Sequence, residues 1–321
     1  NSCAYDGLRT GDYTARADRV MCLREHTEPF YEAVAQGFIQ TTQKVLEATG
    51  NRTDLLQTAQ VLTVKDLLML VRRSGFSSAK KQALANEILE HQESERIGLA
   101  GLRRDIKNLA DSSLRSLFDV QAAEREGKPV LVLENARREA AVVYFGLPGL
   151  IFPKTAQRLG RFIVNDIKAT ASTSNDLWVN VFDEFSVLNA PQILQMLNMG
   201  RSFGLSGVLC TQSFADLEAS DPSNPAAFAR QVLGSVNTYI VHSLNDPEDA
   251  EIASRLIGTQ AAIEYTAQMM EGHATGAASA RVNKSFTVHP DALKQIATGE
   301  AVVVNKNEFS IVRIKVRNSG V

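Results

Sequence analysis

The sequence predicts an α/β fold in two parts, in which a mostly α-helical part precedes alternating strands and helices. Three observations support this prediction. Residues from about 14 to 120 repeat apolar side chains at helical spacing and contain one proline, Pro29. From Gly127 onward, short apolar runs alternate with helical stretches, as in a parallel sheet buried on both faces. The best defined apolar run, residues 177–185, contains two adjacent carboxylates close to its end, Asp183 and Glu184.

Size and composition are those of an ordinary globular chain. Its 321 residues suffice for two domains, and 44% are hydrophobic and 22% charged. The formal net charge of −2 favours neither nucleic acid nor an anionic membrane, so any basic surface must be local. The three scattered cysteines argue against a disulfide framework and fit a reducing compartment. No apolar run reaches the ~18 residues that a bilayer-spanning helix requires.

Each predicted helix of the first part rests on an apolar stripe. The clearest stripe covers residues 64–71. Arg72, Arg73 and Gly75 follow it and indicate the C-terminal end of a helix, where cations and glycine are favoured. Similar stripes predict further helices within residues 30–46, 55–70, 79–97 and 102–118. We place the all-α domain at residues 14–125.

The second part, residues 126–321, is predicted to be the α/β domain. Pro153 suits the first turn of a helix over residues 152–171, and Gly258 ends another over residues 247–257. Residues 301–304 and 309–316 read as a hairpin. The other predicted elements are helices at 191–199 and 226–233, and strands at 130–133, 140–145, 177–185, 205–210 and 238–242.

The acidic pair carries the first chemical prediction. Ligands of open parallel sheets bind beyond the carboxyl ends of the strands, where Asp183 stands. In P-loop enzymes a carboxylate at this point holds the Mg²⁺ that bridges the nucleotide phosphates. A second carboxylate, here Glu184, can orient or deprotonate the attacking water. This is the Walker B pattern of a P-loop ATPase. The alternative is a pair of solvated acids after an edge strand.

Two later residues add to this pattern. Arg201 lies between a predicted helix and the next strand, and Gln212 lies at the end of that strand. An arginine on a loop can neutralise transition-state charge, often across a subunit boundary. An amide at a neighbouring strand tip can sense the γ-phosphate or hold the water. The alternatives are an arginine that caps a helix and a glutamine bonded to a loop backbone.

The phosphate-binding partner of a Walker B strand does not occur in this sequence. No stretch of the 321 residues reads G-x-x-x-x-G-K-[ST]. The nearest loop, residues 74–80, lacks a second glycine before Lys80. We therefore expect the chain to begin just downstream of a P-loop strand and to be inactive as an ATPase by itself.

In order and spacing, residues 181–185, 200–204 and 210–217 resemble the type IV coupling proteins, the TraD/TraG class of conjugation and type IV secretion ATPases. Segments at 143–148, 156–161, 237–241, 246–250, 288–294 and 299–303 also resemble this family. The resemblance implies a RecA-like (P-loop NTPase) motor domain, here incomplete, with a mostly α-helical inserted domain. It implies a homo-hexameric ring with ATP and Mg²⁺ as cofactors.

The resemblance also implies roles and partners. Asp183 would hold Mg²⁺ through a water molecule, and Glu184 would hold the attacking water. Gln212 would sense the γ-phosphate. Arg201 would be the arginine finger that acts on the site of a neighbouring subunit. The implied partners are secretion-system components, relaxosome proteins, and DNA or effector proteins. The implied location is the cytoplasmic face of the bacterial inner membrane, with the anchor outside this chain.

A DNA contact is predicted at residues 272–285, a small-residue, mildly basic stretch that contains Arg281 and Lys284. In a ring these cations could face the pore and contact phosphates. The alternative is a mobile surface loop. The predicted function is an ATP-driven motor that delivers substrate to a type IV secretion channel. A non-catalytic adaptor of the same fold and a DNA pump of the FtsK/HerA kind are the alternatives.

Overall fold

The computed structural model describes residues 3–24, 28–93, 99–147, 149–188, 190–270 and 273–317. They form two compact units, Asn1–Cys210 and Thr211–Val321. Within these described ranges, no helix is both long enough and apolar enough to cross a membrane. The proposed boundary between a domain at 14–125 and one at 126–321 remains a prediction.

Most helices of the first unit coincide with the predicted apolar stripes, whereas those at Tyr13–Met21 and Val120–Arg125 lie outside them. The side chains of Asp12, Asp54, Thr63, Ser77 and Asp119 each cap a helix by accepting a backbone N–H. Residues 94–97 of one predicted stripe lie outside the described residues. The helices are α1 (Tyr13–Met21), α2 (Pro29–Ala48), α3 (Leu55–Gln60), α4 (Val64–Arg73), α5 (Ser78–Glu90), α6 (Ala100–Ala110) and α7 (Val120–Arg125).

A parallel strand pair and further helices complete this unit. Strand β3 (Trp178–Phe182) runs parallel to β4 (Leu205–Leu209), with Phe182 opposite Leu209. The predicted strands at 177–185 and 205–210 are thus confirmed in shorter form. The remaining elements are β1 (Ala4–Tyr5), paired parallel with β2 (Val130–Leu131), and the helices α8 (Leu133–Arg138), α9 (Pro153–Ala171) and α10 (Ala190–Gly200).

A buried ion pair joins α1 to α9. Arg19 on α1 pairs with Asp166 on α9, and both side chains are almost fully buried. The hydroxyl of Tyr5 in β1 donates to the same carboxylate at 2.7 Å. Burial raises the pKa of Asp166, and the charge of Arg19 opposes that rise. Strand β1, helix α1 and helix α9 are therefore held together by one carboxylate.

Two strand predictions in this unit are wrong. Residues 140–145 form no ladder among the described residues, and Val142 and Tyr144 are 99% and 91% exposed. An apolar run forms a strand only when another strand pairs with it, and a local sequence pattern does not reveal that partner. The sheet is also not buried on both faces. Helix α10 packs against β4 on one face, while Val179 and Val181 on the other face are 53% and 65% exposed.

The second unit contains an antiparallel sheet in the order β5–β8–β9. Strand β8 (Glu300–Asn305) pairs with β9 (Ser310–Lys315), which confirms the predicted hairpin. Leu293, Ile296, Val302 and Val304 form the core of this unit with Ala253. The other elements are α11 (Phe214–Ala219), α12 (Pro225–Ser235), β5 (Thr238–Val241), α13 (Pro247–Ile257), β6 (Thr259–Met270), β7 (His273–Phe286) and α14 (Pro290–Lys294).

Strands β6 and β7 form a long antiparallel ribbon, in which Ile263 pairs with Val282 and Ala261 with Lys284. The alternative of a mobile loop at 272–285 is therefore wrong for residues 273–285, and residue 272 lies outside the described residues. Small residues have weak strand propensity, so their composition suggested a loop. The backbone ladder with β6 determines the conformation instead.

Candidate nucleotide site at the end of strand β3

The acidic pair follows the last residue of β3 directly. Asp183 and Glu184 are both exposed, and a short 3₁₀ turn, Phe185–Val187, comes next. Glu184 has φ 52° and ψ 54°, the left-handed conformation that side chains with a Cβ disfavour. Such a backbone costs about 1–3 kcal/mol and persists only where its surroundings impose it. The backbone at Glu184, where the chain leaves β3, is therefore held in this conformation by the residues around it.

Cys210 supplies that constraint. Its main-chain N–H donates to the carbonyl oxygen of Phe182 at 3.0 Å, and its own carbonyl accepts from the N–H of Phe185 at 2.9 Å. The side chain of Phe185 is fully buried. The ladder between β3 and β4 therefore continues on both sides of the pair. The two carboxylates are left out of the ladder and held at the carboxyl end of the strand.

The thiol of Cys210 lies within the electrostatic field of this pair. Burial raises the pKa of the Cys210 thiol, and the negative charge of Asp183 raises it further. A thiol with a raised pKa is mostly protonated near neutral pH, so it is not an activated nucleophile. Cys210 thus contributes its backbone to the site, and the pKa of its thiol depends on the charge of Asp183.

Arg201 lies on a turn that two glycines shape. A Cβ on Gly200 would lie 2.5 Å from the side chain of Leu205. Gly204 has φ +72°, and a Cβ there would lie 2.4 Å from the carbonyl oxygen of Asp176. Arg201 itself is exposed and, among the residues that the structure describes, has no carboxylate partner. The segment therefore presents one cation on a tightly fixed turn.

Arg201 and Asp183 lie at opposite ends of the strand pair. The N–H of Trp178, at the start of β3, donates to the carbonyl oxygen of Gly204 at 2.9 Å, so the turn adjoins the amino end. Asp183 follows the carboxyl end. Five residues of strand separate the two ends, roughly 16 Å at about 3.3 Å per residue. The structure thus does not bring Arg201 and Asp183 of one copy together.

The other predicted site residues belong to the second unit. Gln212 is exposed and immediately precedes Ser213, whose side chain caps α11 by accepting from the N–H of Asp216. Arg281 and Lys284 are exposed on β7. The sensor role of Gln212 and the DNA contacts of the two cations stay predictions.

Sequence reasoning missed one residue, Arg137 at the end of α8. Its guanidinium is buried and contacts the ring of Trp178, with 5.3 Å between the guanidinium carbon and the ring centroid. It also donates to four main-chain carbonyl oxygens. The sequence does not predict the helix over residues 133–138, and nothing in it distinguishes Arg137 from its neighbour Arg138.

The donor set is compatible with Mg²⁺ only when phosphates contribute. Mg²⁺ takes one or two carboxylates and completes its shell with water and substrate phosphates. Asp183 and Glu184 supply such carboxylates at an exposed strand end. Within the described part of the chain, no group of three or more His, Cys, Asp or Glu residues forms a potential metal site. The acidic pair therefore fits a metal that arrives with a nucleotide.

The fold is thus α/β and RecA-like, with a helical domain. The bacterial conjugative coupling protein TrwBdeltaN70, in an unbound monoclinic form, shares this fold. The TM-score is 0.60 over 97% of this chain and 69% of that chain, at 13% identity. Plasmid coupling protein TrwB in complex with ADP and Mg²⁺ aligns with a TM-score of 0.57 over 97% and 69%, at 14% identity. Its complex with the ATP analogue ADPNP gives 0.57 over 97% and 70%, at 14% identity.

The chain belongs to the family described as the type IV secretion-system coupling protein DNA-binding domain, whose model matches residues 2–317. An uncharacterized protein of Mycoplasma pneumoniae is 31% identical over 107 residues, which cover 32% of this chain and 69% of that protein. The predicted resemblance to type IV coupling proteins is therefore confirmed.

Proposed function

We propose that this chain is the Walker B half of an ATP-driven motor that delivers DNA or protein to a type IV secretion channel. One observation carries the proposal. The β3–β4 ladder closes on both sides of Asp183 and Glu184 and leaves both carboxylates exposed at the carboxyl end of a parallel strand. This is the edge where ligands of such sheets bind. The TrwB structures with ADP and Mg²⁺ support the proposal at the level of the family.

The two carboxylates have separate roles in this proposal. Asp183 holds Mg²⁺ through a water molecule, and Glu184 orients and deprotonates the water that attacks the γ-phosphate. Mg²⁺, when bound with ATP, offsets the negative charge of the phosphates. The constrained backbone of Glu184 supports a functional role, because strained conformations cluster at such sites. Gln212 senses the γ-phosphate.

Arg201 serves the nucleotide of a neighbouring copy. An arginine side chain cannot span the roughly 16 Å between the two ends of β3, at about 3.3 Å per residue. Its exposure and its fixed turn instead suit contact with another subunit. A ring of six copies would place each Arg201 against the next site and so make hydrolysis depend on assembly.

The proposed motor requires a phosphate-binding loop that these 321 residues do not contain. The exposed face of β3–β4 carries Val179, Val181 and Val208, which are 53%, 65% and 44% exposed. Parallel sheets are normally covered on both faces. We propose that the P-loop-bearing segment packs on this apolar face and thereby reaches the acidic pair at its edge.

The proposed cargo contacts lie elsewhere. The family description names a DNA-binding domain, which supports DNA contact by this chain. We propose that the helical domain recruits relaxosome proteins, DNA or effector proteins, and that Arg281 and Lys284 on β7 contact phosphates. The motor would work at the cytoplasmic face of the inner membrane, with secretion-system components as partners.

The test is ATP hydrolysis by the full-length protein. We expect Mg²⁺-dependent turnover that falls by about 10²-fold or more in Glu184→Gln, as for loss of a general base. The matched control Glu218→Gln changes an exposed glutamate on α11 and should retain wild-type turnover. Wild-type turnover in Glu184→Gln would remove Glu184 from the proposed role.

A second candidate function is a non-catalytic adaptor that recruits substrate through the same fold. The lack of a G-x-x-x-x-G-K-[ST] stretch in this sequence favours it. The coding sequence upstream of Asn1 discriminates between the two functions. A P-loop motif there supports the motor, whereas a start codon directly before the codon of Asn1 supports the adaptor.

A further inference from the structure

Arg137 occupies a buried junction at the amino end of β3. Its Nη1 donates to the carbonyl oxygens of Thr170 and Ala171 at 3.2 Å and 3.0 Å, at the C-terminal end of α9. Its Nη2 donates to the carbonyl oxygen of Asp176 at 2.6 Å and to that of Phe203 at 2.8 Å. One side chain thus joins the end of α9, the segment before β3 and the turn that carries Arg201.

The chemistry of this junction requires an arginine. The last carbonyls of a helix have no intrahelical partner and carry partial negative charge, so a cation stabilises them. Four acceptors in two directions match the planar fork of a guanidinium, whereas a lysine ammonium has three donors on one atom. The guanidinium also contacts the ring of Trp178, the first residue of β3.

The junction has two connections to the turn of Arg201. One is the bond from Arg137 to the carbonyl oxygen of Phe203, two residues beyond Arg201. The other is the bond from the Trp178 N–H to the carbonyl oxygen of Gly204. Because Trp178 begins the strand that Asp183 follows, a shift of the turn acts directly on the start of that strand.

We propose that Arg137 is a positioning residue that fixes the Arg201 turn against the start of β3. Through this junction, contact of Arg201 with a neighbouring copy is coupled to the strand that leads to Asp183. The catalytic meaning of this coupling rests on the proposed role of Arg201. The positioning itself does not, so the two are tested separately.

The first test uses the 321-residue chain without nucleotide. Trp178 is the only tryptophan, so its fluorescence reports on the junction. In Arg137→Lys and Arg137→Gln we expect about tenfold faster amide exchange at Trp178 and Gly204, the effect of losing roughly one charged hydrogen bond. Trp178 emission should shift to longer wavelength, while exchange in α2 stays unchanged.

The matched control is Arg138→Lys, because Arg138 is exposed and donates to the side chain of Asn135, three residues earlier, at 2.8 Å. It should leave both signals unchanged. Unchanged exchange at Trp178 and Gly204 in both Arg137 variants would overturn the proposal.

A measurement that needs no variant is native-state amide hydrogen exchange of the wild-type chain in low denaturant. The proposal requires Trp178 and Gly204 to open with the same free energy, and separate openings would overturn it.

The second test uses the full-length motor. We expect Arg137→Lys to lower kcat for ATP without changing KM, and to cause no further loss when Arg201 is already alanine. An equal loss in both backgrounds would mean that Arg137 acts independently of Arg201 and would overturn the coupling. If Arg201→Ala has wild-type turnover while the exchange effects remain, the proposed role of Arg201 fails and the positioning by Arg137 stands.

Discussion

The main-chain N–H of Phe185 donates to the carbonyl oxygen of Cys210 at 2.9 Å, so strand pairing resumes after the acidic pair. This bond requires the two carboxylates to bulge out of the ladder. The buried side chain of Phe185 stabilises the arrangement from the core side. The geometry of the candidate site thus depends on a residue that carries no charge.

We expect Phe185→Ala to lower the free energy of unfolding by about 3–5 kcal/mol, because it leaves a cavity beneath the acidic pair. Urea unfolding followed by circular dichroism measures this change. The control Phe30→Ala alters a side chain that is 65% exposed and should change stability by no more than about 0.5 kcal/mol. Similar values for the two variants would contradict the anchoring role of Phe185.

The turn of Arg201 should not tolerate a side chain at Gly204. We expect Gly204→Ala to destabilise the chain by more than about 1 kcal/mol, because its φ is +72° and its Cβ would overlap the carbonyl oxygen of Asp176. Thermal unfolding measures the effect. Gly75→Ala, where a Cβ would meet no atom within 4 Å, is the matched control and should be close to neutral.

Acid stability should depend on Glu124. Arg52 and Arg9 both donate to its carboxylate, and these hydrogen bonds, that of Arg52 most of all, lower the pKa of Glu124 from 4.5 to about 2. Because the folded pKa is depressed, the stabilisation is complete above about pH 4.5 and is lost as the pH falls through about 2. Solvent screening limits it to about 1 kcal/mol, since the side chain is 41% exposed.

We therefore expect the stability difference between wild type and Glu124→Gln to shrink between pH 5 and pH 2, as measured by urea unfolding. Glu139→Gln, at an exposed glutamate, should show little difference at any pH. A difference between wild type and Glu124→Gln that stays constant over this range would contradict the ion-pair explanation.

The proximity of Asp183 and Cys210 can be tested without enzymatic activity. The Asp183 charge raises the pKa of the Cys210 thiol, so Asp183→Asn should lower that pKa and increase the thiolate fraction. We expect alkylation of Cys210 by iodoacetamide near pH 8 to become faster, as measured by mass spectrometry of the peptide. The rate at Cys3 serves as the internal reference. An unchanged ratio of the two rates would contradict the predicted field of Asp183.

The features of the candidate site that neighbouring residues in the sequence encode were predictable. An apolar run ending in Asp183 and Glu184 predicts both the strand and the acids, and Gly200 and Gly204 mark the turn of Arg201. The role of Arg137 was not predictable, because its partners are backbone carbonyls, one of them 66 residues away. The same reason explains the wrong strand at 140–145 and the missed ribbon at 273–285, since ladder partners are non-local and backbone atoms have no sequence signature.

Arg201 and Asp183 lie at opposite ends of the β3–β4 pair. This placement is the basis of our proposal that each nucleotide site is shared between two copies. Mixing two inactive full-length variants tests this most directly. Arg201→Ala retains its own acidic pair, and Glu184→Gln retains its finger. In a randomly mixed ring, on the order of a quarter of the sites combine both intact parts. We predict that an equimolar mixture regains about that fraction of wild-type ATP hydrolysis. A mixture as inactive as either variant alone would contradict the account.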